Sequence, residues 1–359
     1  MLMRAWRWYG FNDARLDEVP VPAVQPGWVL LKTSVVQLSL TEALLARGLR
    51  SINYEFLRTR FAEGQPMQLF GHEFCATVVE VGAGVERLEV GDRVCASNMV
   101  VCHKCGNCLD GRPDLCASRS TVGFHLPGCL AEYAVLPADV LTRVLPAVSD
   151  HEAAGVQPLS ESIEAVASAE LELGDTCVVI GAGSMGLGCI QGARASGAGK
   201  IIALDVRAEA LALAKQLGAD ELVDSRTVDP VDAVLDLTNG AGPDVVFEAA
   251  GGGAVGFAAI HQATDMVRAK GKIVQVAHLG TKGELNYDRC RVKSIRLIFP
   301  GIGSRRLMEH TMRMLAAGQL SVKPMLTHVV KGLDKVPEAI EITVNKAKYG
   351  AINPAQIEL

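Results

Sequence analysis

Three glycines at positions 181, 183 and 186 follow directly on a short apolar run at residues 177–180. In this Gly-x-Gly-x-x-Gly spacing the first glycine permits a tight turn after a strand, and the second lets the backbone approach a pyrophosphate. The third lets a helix pack closely on the strand, and that helix offers its unpaired N–H groups to the phosphates. The motif therefore predicts a dinucleotide site. The residues predicted to line it are Gly181, Gly183, Ser184, Met185 and Gly186.

Strand-like and helix-like segments alternate from this motif onward. Predicted strands cover 177–180, 200–204, 221–223, 244–248, 272–276 and 295–299. Predicted helices begin at Ser184 and cover 208–217, 231–237 and 254–268. Because strands that alternate with helices pair in parallel and place the helices on both faces, the fold class is α/β, with a doubly wound six-stranded parallel sheet of the Rossmann type.

The chain before this sheet has a different pattern. Runs rich in Val, Leu and Thr at 28–36, 77–81, 93–96 and 132–136 are separated by Pro and Gly, which predicts a mostly β domain. At 359 residues the chain exceeds the usual size of about 150 residues for one domain. The tail has too few regular segments to fold alone, so we expect it to return to the first domain. The predicted domains are 1–157 with 301–359, and 158–300.

An acidic residue after the second predicted strand bears on the choice of cofactor. Asp205 lies about 20 residues beyond the glycine motif, where a carboxylate accepts hydrogen bonds from the adenosine ribose hydroxyls. It would repel a 2′-phosphate, which favours NAD(H) over NADP(H). Arg207 weakens that preference without reversing it. The alternative is that Asp205 only caps the following helix.

Four of the ten cysteines are clustered, with two, two and seven residues between them. Four thiolates at this spacing are typical of a closed tetrahedral zinc site, which leaves no open position for chemistry. We expect one structural zinc per chain, held by Cys102, Cys105, Cys108 and Cys116. His103 is an alternative ligand, although a solvated neighbour is the simpler interpretation.

Charge and hydropathy exclude several classes of partner. The net charge is −5, and acidic and basic residues are interspersed, so no extended basic face favours nucleic acid. The first ten residues lack the apolar core and cleavage site of a signal peptide. The longest stretch without charge, 177–193, falls short of the roughly 20 apolar residues that a bilayer span needs. We therefore expect a cytoplasmic protein with no membrane partner.

Motifs along nearly the whole chain resemble one family. They include Gly71-His72-Glu73, VVEVG at 78–82, GDRV at 91–94, the four cysteines, AEY at 131–133, QPLS at 157–160, the glycine motif and Thr327-His328. Together they resemble the medium-chain zinc-type alcohol and polyol dehydrogenases, of the sorbitol and threonine dehydrogenase kind. The resemblance implies a GroES-like, mostly β catalytic domain beside the Rossmann domain. It also implies a small-molecule substrate, cofactor contacts at Ala250 and Ala277, and a homodimer or homotetramer joined through the strand at 295–299.

The chain departs from this family at the catalytic metal. The family's working zinc is typically held by a cysteine, by the histidine of Gly-His-Glu, and by an acid or cysteine opening a Glu-Pro-Leu-like motif. The resemblance puts Ser39, His72 and Gln157 at these positions. A neutral hydroxyl and a neutral amide are poor replacements for two anionic ligands. We therefore expect no catalytic zinc at the usual place.

A displaced metal site is the alternative. Glu73 beside His72, together with Glu161 and Glu164 on the next helix, would supply histidine and carboxylate ligands. The i, i+3 spacing of Glu161 and Glu164 puts them at neighbouring positions of one helix face.

Without the metal, a substrate oxygen must be stabilised by hydrogen bonds and protonated by a side chain. By the resemblance, Thr41 carries the hydroxyl that relays the substrate proton, while Leu44 replaces the relay histidine and Ser39 lies beside the reacting groups. His72 and Glu161 are then the predicted acid–base groups. Alternatively, His72 is a buried histidine bonded to Ser39 or Glu73.

Three functions are consistent with these residues. The leading hypothesis is an NAD(H)-dependent oxidoreductase that interconverts a secondary alcohol and a ketone with a structural zinc but no catalytic zinc. The second is a reductase of a polarised C=C or C=N bond, which needs hydride placement and a proton donor but no metal. The third is a catalytically inactive dinucleotide-binding protein. Activity with simple alcohols, activity only with enones or iminium compounds, and cofactor binding without turnover distinguish the three.

Overall fold

The structure, a computed structural model, describes residues 1–251, 253–280, 282–301 and 303–359. The chain folds into two compact units. The first unit comprises Met1–Gln157, Ile302–Gly318 and Leu326–Leu359, and the second unit comprises Pro158–Gly301 and Gln319–Met325. The chain thus leaves the first unit after residue 157 and returns to it in its C-terminal part.

The N-terminal part is rich in strands, as the sequence predicts. Its strands are β1 (Leu2–Gly10), β2 (Asp13–Pro20), β3 (Trp28–Gln37), β4 (Glu73–Val81), β5 (Arg93–Ala96), β6 (Met99–Val100), β7 (Ser120–Thr121), β8 (Tyr133–Pro137) and β9 (Leu141–Arg143). Its helices are α1 (Leu40–Ala46), α2 (Tyr54–Phe61), α3 (Gly106–Leu109) and α4 (Asp150–Ala154), and α5 (Val156–Ser168) crosses into the second unit.

Helices and strands alternate in the middle of the chain. The elements are β10 (Thr176–Ile180), α6 (Ser184–Ala195), β11 (Lys200–Asp205), α7 (Ala208–Gln216), β12 (Glu221–Asp224), α8 (Pro230–Leu237), β13 (Val245–Glu248), α9 (Gly253–Met266), β14 (Lys272–Gln275), α10 (Tyr287–Lys293) and β15 (Arg296–Ile298). The tail contains α11 (Arg305–Ala316), β16 (Val329–Lys331), α12 (Val336–Val344), α13 (Lys346–Tyr349) and β17 (Gln356–Glu358). Among the described residues, no helix combines the length and the apolarity that crossing a bilayer requires.

The sheet of the first unit is built around β3. This strand pairs antiparallel with β4, from Val29 opposite Val81 to Gln37 opposite Glu73. Its other edge is shared, because β8 pairs with its first half and β17 pairs with its last three residues. Since β17 comes from the tail, the C-terminus completes this sheet. The apolar and β-branched residues of β3 are buried on both faces.

The sheet of the second unit confirms the predicted fold class. Its six strands are all parallel and lie in the order β12-β11-β10-β13-β14-β15. The strand order reverses between β10 and β13, which is the switch point where such sheets bind ligands. The glycine motif follows β10 and therefore lies at this point.

One short segment of the tail packs in the second unit. The sequence predicts that all of 301–359 belongs to the first domain. In the structure, Gln319–Met325 belong to the second unit. Here Ser321 N donates to Gln191 Oε1 on α6 at 2.7 Å, and Leu320 and Val322 are buried. This hydrogen bond and this burial hold the segment in the second unit, and the local composition of the segment does not reveal them.

Candidate active site, cofactor site and metal centre

Helix α1 begins with a reciprocal cap that fixes two of the polar side chains of the first unit. Ser39 Oγ accepts from Glu42 N at 3.2 Å, and Ser39 N donates to Glu42 Oε2 at 3.3 Å. This is the capping box of a Ser-x-x-Glu sequence. Ser39, which the resemblance places at a metal-ligand position, is thus a helix cap, and Glu42 is held at the helix start with no exposed surface.

The carboxylate of Glu42 also holds His72. Glu42 Oε1 lies 2.5 Å from His72 Nδ1 and accepts from His72 N at 3.2 Å. His72 is 7% exposed, so the pair is shielded from water. Because a carboxylate only accepts hydrogen bonds, this contact places a proton on Nδ1. The sequence predicts Ser39 or Glu73 as the bonding partner of His72, whereas Glu42 holds its Nδ1 in the structure.

The backbone before His72 has room only for glycine. Gly71 has φ +77°, and a Cβ atom there would lie 2.7 Å from Leu130 N. The preceding Phe70 also has a positive φ of +65°, and its ring packs edge-on against Trp8 at 4.8 Å. The turn that carries His72 is therefore fixed by core packing on one side and close backbone on the other.

A second buried carboxylate lies on the other side of the imidazole. Glu73 Oε1 is 3.9 Å from His72 Nε2, and Glu73 Oε2 accepts from Gln37 Nε2 at 2.6 Å. Gln37 Oε1 in turn accepts from Asn353 Nδ2 at 3.2 Å and from Gln356 Nε2 at 3.1 Å. Burial raises the pKa of Glu73 to about 7, an effect that the neighbouring His72 opposes.

Sequence reasoning missed Glu42 and Gln37. The signal for Glu42 was present, because Ser39 and Glu42 have the spacing of a capping box before an apolar run. Gln37 gives no comparable signal, since its importance comes from the pairing of β3 with β4 and β17.

The other predicted catalytic residues lie on two helices. Thr41 and Leu44 are half-buried on α1. Gln157, 6% exposed, is on α5 at the end of the first unit, and Glu161 is half-buried further along α5 in the second unit. Within the first unit, the structure brings Ser39 and His72 to Glu42, and Glu73 lies beside His72.

The four clustered cysteines converge. Their Sγ atoms all lie within 4.8 Å of one another, with separations of 3.5 Å for Cys102–Cys116 and for Cys105–Cys108. Four sulfurs around one zinc at 2.3 Å would be about 3.8 Å apart, so this arrangement fits a tetrahedral site. His103 Nε2 instead lies 3.3 Å from Asp139 Oδ2, and its side chain is 63% exposed.

The glycine motif has the shape of a phosphate cradle. Gly181 has φ +93°, and a Cβ there would lie 2.7 Å from the backbone of Ala250. A Cβ at Gly186 would lie 1.8 Å from Gly181 O, so the turn and the helix leave no room for a side chain. At Gly183, the residue that caps α6, a Cβ would meet nothing within 4 Å. Open space at the helix N-terminus fits a pyrophosphate.

Asp205 lies at the end of β11 beside this turn. Its Oδ2 accepts from Ala182 N at 2.7 Å, and its Oδ1 accepts from Arg207 N at 2.9 Å. Arg207 Nε is 3.5 Å from the same carboxylate. The cap position of α7 is Arg207 rather than Asp205, so the alternative role of Asp205 as the cap of that helix is not what the structure shows.

The two alanines predicted from the resemblance follow neighbouring strands. Ala250 comes after β13, where its N–H donates to Glu248 Oε1 at 2.9 Å, and Ala277 comes after β14, where its N–H donates to Glu248 O at 3.0 Å. The carboxyl ends of parallel strands meet at one edge of the sheet, so both alanines share that edge with the glycine motif.

Comparisons with known proteins agree over nearly the whole chain. The alcohol dehydrogenase GroES-like domain matches residues 25–150, and the zinc-binding dehydrogenase domain matches residues 184–317. The chain is 32% identical over 332 residues to the L-threonine 3-dehydrogenase of Pyrococcus horikoshii, a match that covers 92% of this chain and 91% of that protein. It is 31% identical over 352 residues to the erythritol/L-threitol dehydrogenase of Mycolicibacterium smegmatis, covering 94% and 95%. A structure from Sinorhizobium meliloti, solved with NADP bound, is 25% identical with a TM-score of 0.87 and covers 100% of both chains.

The raised pKa of Glu73 predicts a dependence of stability on pH. Between pH 4.5 and about 7 the folded protein keeps a proton that the unfolded carboxyl has released, so stability is lost as the pH rises through this window. Glu73→Gln removes this loss. In urea unfolding, the free energy of unfolding of the variant relative to the wild type should increase by up to about 3 kcal/mol as the pH rises from 4.5 to 8.

The control is Glu86→Gln, which removes an exposed carboxylate. Its free energy of unfolding should run parallel to that of the wild type across the same pH range. A parallel profile for Glu73→Gln as well would contradict the prediction.

Proposed function

Because the chain belongs to the medium-chain zinc-type alcohol and polyol dehydrogenases, we propose that it interconverts a secondary alcohol and a ketone with NAD(H), and that His72 paired with Glu42 handles the substrate proton. Membership makes it an oxidoreductase that acts on CH–OH groups with a nicotinamide cofactor. The observation that carries the proposal is the buried 2.5 Å contact between His72 Nδ1 and Glu42 Oε1. Proton transfer by such a pair does not require a metal on the substrate oxygen.

The proton chemistry follows from this pair. A nicotinamide cofactor held at the glycine motif would supply the hydride acceptor for the carbinol carbon in the oxidation direction. As the hydride leaves, Nε2 of His72 accepts the alcohol proton, while Nδ1–H stays bonded to Glu42. The imidazolium that forms is stabilised by the buried carboxylate, and in the reduction direction it returns the proton to the developing alkoxide. Thr41 is proposed to orient the substrate hydroxyl, and Glu161 is the other candidate for the donor.

We propose that no zinc binds where the family places its catalytic zinc. Ser39 Oγ is the acceptor of a helix cap, and Gln157 offers a neutral amide. His72 would be the one strong ligand of the three, and Zn²⁺ prefers thiolate and carboxylate donors beside imidazole. A displaced site that uses Glu73, Glu161 and Glu164 is the competing proposal.

We propose that one structural zinc binds the four-cysteine cluster. The separations between Sγ atoms suit tetrahedral thiolate ligation, and backbone N–H groups already point at two of the sulfurs. Such an ion cross-links the loop between β6 and β7 and leaves no ligand position for substrate.

We propose NAD(H) rather than NADP(H) as the cofactor. Asp205 is held by two backbone N–H groups, with its carboxylate at the carboxyl end of β11. A fixed negative charge there repels a 2′-phosphate, and Arg207 offsets part of that repulsion.

The acid–base proposal predicts a specific loss of activity. Glu42→Gln can keep the helix cap but removes the negative charge that supports the imidazolium, so kcat should fall about 100-fold or more. His72→Gln should lower kcat by a similar factor and flatten the pH–rate profile near neutrality. If Glu161→Ala abolishes turnover while His72→Gln leaves it intact, the proton donor has been assigned wrongly.

Metal analysis of the purified protein tests the zinc proposals. We expect one zinc per chain, lost in Cys105→Ser together with thermal stability. Cys290→Ser, a half-buried cysteine outside the cluster, serves as the matched control and should keep the zinc. Two zinc ions per chain, with one retained in Cys105→Ser, would contradict the absence of a catalytic zinc.

Replacement of Asp205 by Ser tests the choice of cofactor. The variant should bind NAD(H) more weakly, since a hydrogen-bond acceptor for the ribose is lost, and it should admit NADP(H). Asp224→Ser, at the end of the adjacent strand β12, is the control. Unchanged Michaelis constants for both cofactors would exclude Asp205 from this role.

We also propose a homodimer or homotetramer joined through β15. This strand forms one edge of the six-stranded sheet, and the following Phe299 is 70% exposed. An unpaired edge beside exposed apolar side chains favours pairing with a second copy. Light scattering that gives the mass of a single chain would contradict this proposal.

A further inference from the structure

A groove in the first unit collects arginines from three parts of the chain. It lies between the segment that joins β4 to β5, strand β9 and helix α11, and its volume is about 370 Å³. Arg87, Arg143, Arg305 and Arg313 line it, together with a single carboxylate, Glu309. We propose that this groove binds a small anion that carries two or more phosphate charges.

The positive charge of the groove is only partly compensated. Glu309 pairs with Arg305, and Arg143 pairs with Asp92 at 2.8 Å. Arg87 donates to backbone carbonyls, which hold the guanidinium in place without neutralising it. Arg313 has no ion pair with any described residue. Arg313 is therefore left for an anion to neutralise, and the charge of Arg87 is offset only through space by Asp139 and Glu309.

The arginines are held so that they face one cavity. On α11, Arg305, Glu309 and Arg313 are spaced by four residues, which puts them along one face of the helix. Desolvation lowers the pKa of Arg87, and the charge of Arg305 lowers it further, while the carboxylates of Asp139 and Glu309 oppose this shift. Like charges brought together this way cost free energy unless an anion lies between them.

Two polar atoms of the lining residues lack partners. Arg87 Nε and Thr142 Oγ1 are both buried and have no hydrogen-bond partner among the described residues. Both atoms lie below the solvent-accessible surface, so they contribute no contact to an anion in the groove, and the charge of the arginines carries the proposal.

The chemistry of the groove favours phosphate over a simple carboxylate. A planar guanidinium group donates two parallel hydrogen bonds to two oxygens of one phosphate. Several arginines around one cavity therefore suit a ligand with several anionic oxygens. The volume of about 370 Å³ is within the range of small-molecule sites, at roughly 300–1,000 Å³. Leu88, Leu145 and Met312 add an apolar surface for an organic portion.

Calorimetric titration with inorganic pyrophosphate tests the proposal. The titration is run on the zinc-loaded protein with NADH at saturation, so that the glycine motif is already occupied. We expect one saturable site per chain, with a dissociation constant below about 1 mM that rises with salt. Arg313→Gln should weaken binding roughly tenfold or more, since one charge-assisted contact is lost.

Arg306→Gln is the matched control. It removes the same charge from the same helix, but Arg306 is exposed and does not line the groove. Binding in this variant should equal that of the wild type. Absence of saturable binding, equal weakening in both variants, or citrate binding as tightly as pyrophosphate would each overturn the proposal.

Discussion

A buried carboxylate is stable only where hydrogen-bond donors replace the water it has lost, and in the first unit Glu42 meets this requirement with three N–H groups. One comes from Ser39 at the start of α1, and two come from the backbone and ring of His72 before β4. A single side chain therefore ties the first turn of a helix to the turn before a strand. The orientation of the imidazole, and with it the proposed acid–base chemistry, depends on this contact.

The position of that carboxylate depends in turn on the sheet around β3. The strand leads into the cap at Ser39, and its last residues pair with β4 on one side and with the C-terminal strand β17 on the other. Gln37 turns this pairing into a polar link, since it donates to Glu73 and accepts from Gln356. The C-terminus thus supports the candidate site through hydrogen bonds as well as through strand pairing.

The two candidate metal positions differ in the chemistry of their donors. Four cysteines converge at one, with sulfur separations that suit a tetrahedral ion. At the other, one side chain is a helix cap and a second is an amide, while the histidine is bonded to Glu42. The same chain thus combines a set of soft anionic ligands with a set that is largely neutral. This contrast is the basis for proposing that protonatable side chains take over work that a metal performs in other members of the family.

Local sequence pattern is sufficient to predict several elements of this fold. The alternation of strands and helices gave the six-stranded parallel sheet, and Gly181, Gly183 and Gly186 gave its ligand-binding turn, because backbone geometry there excludes a Cβ or needs open space. The contacts between distant side chains, by contrast, follow from the packing of the folded chain. The spacing of Ser39 and Glu42 indicates a helix cap from the sequence alone. The contact between Glu42 and His72, 30 residues apart in the chain, has no such signal. Gln37, the segment Gln319–Met325 and the arginine groove likewise depend on packing between distant elements. Local propensity acts over a few residues, whereas burial and long-range hydrogen bonds are set only when the chain has closed on itself.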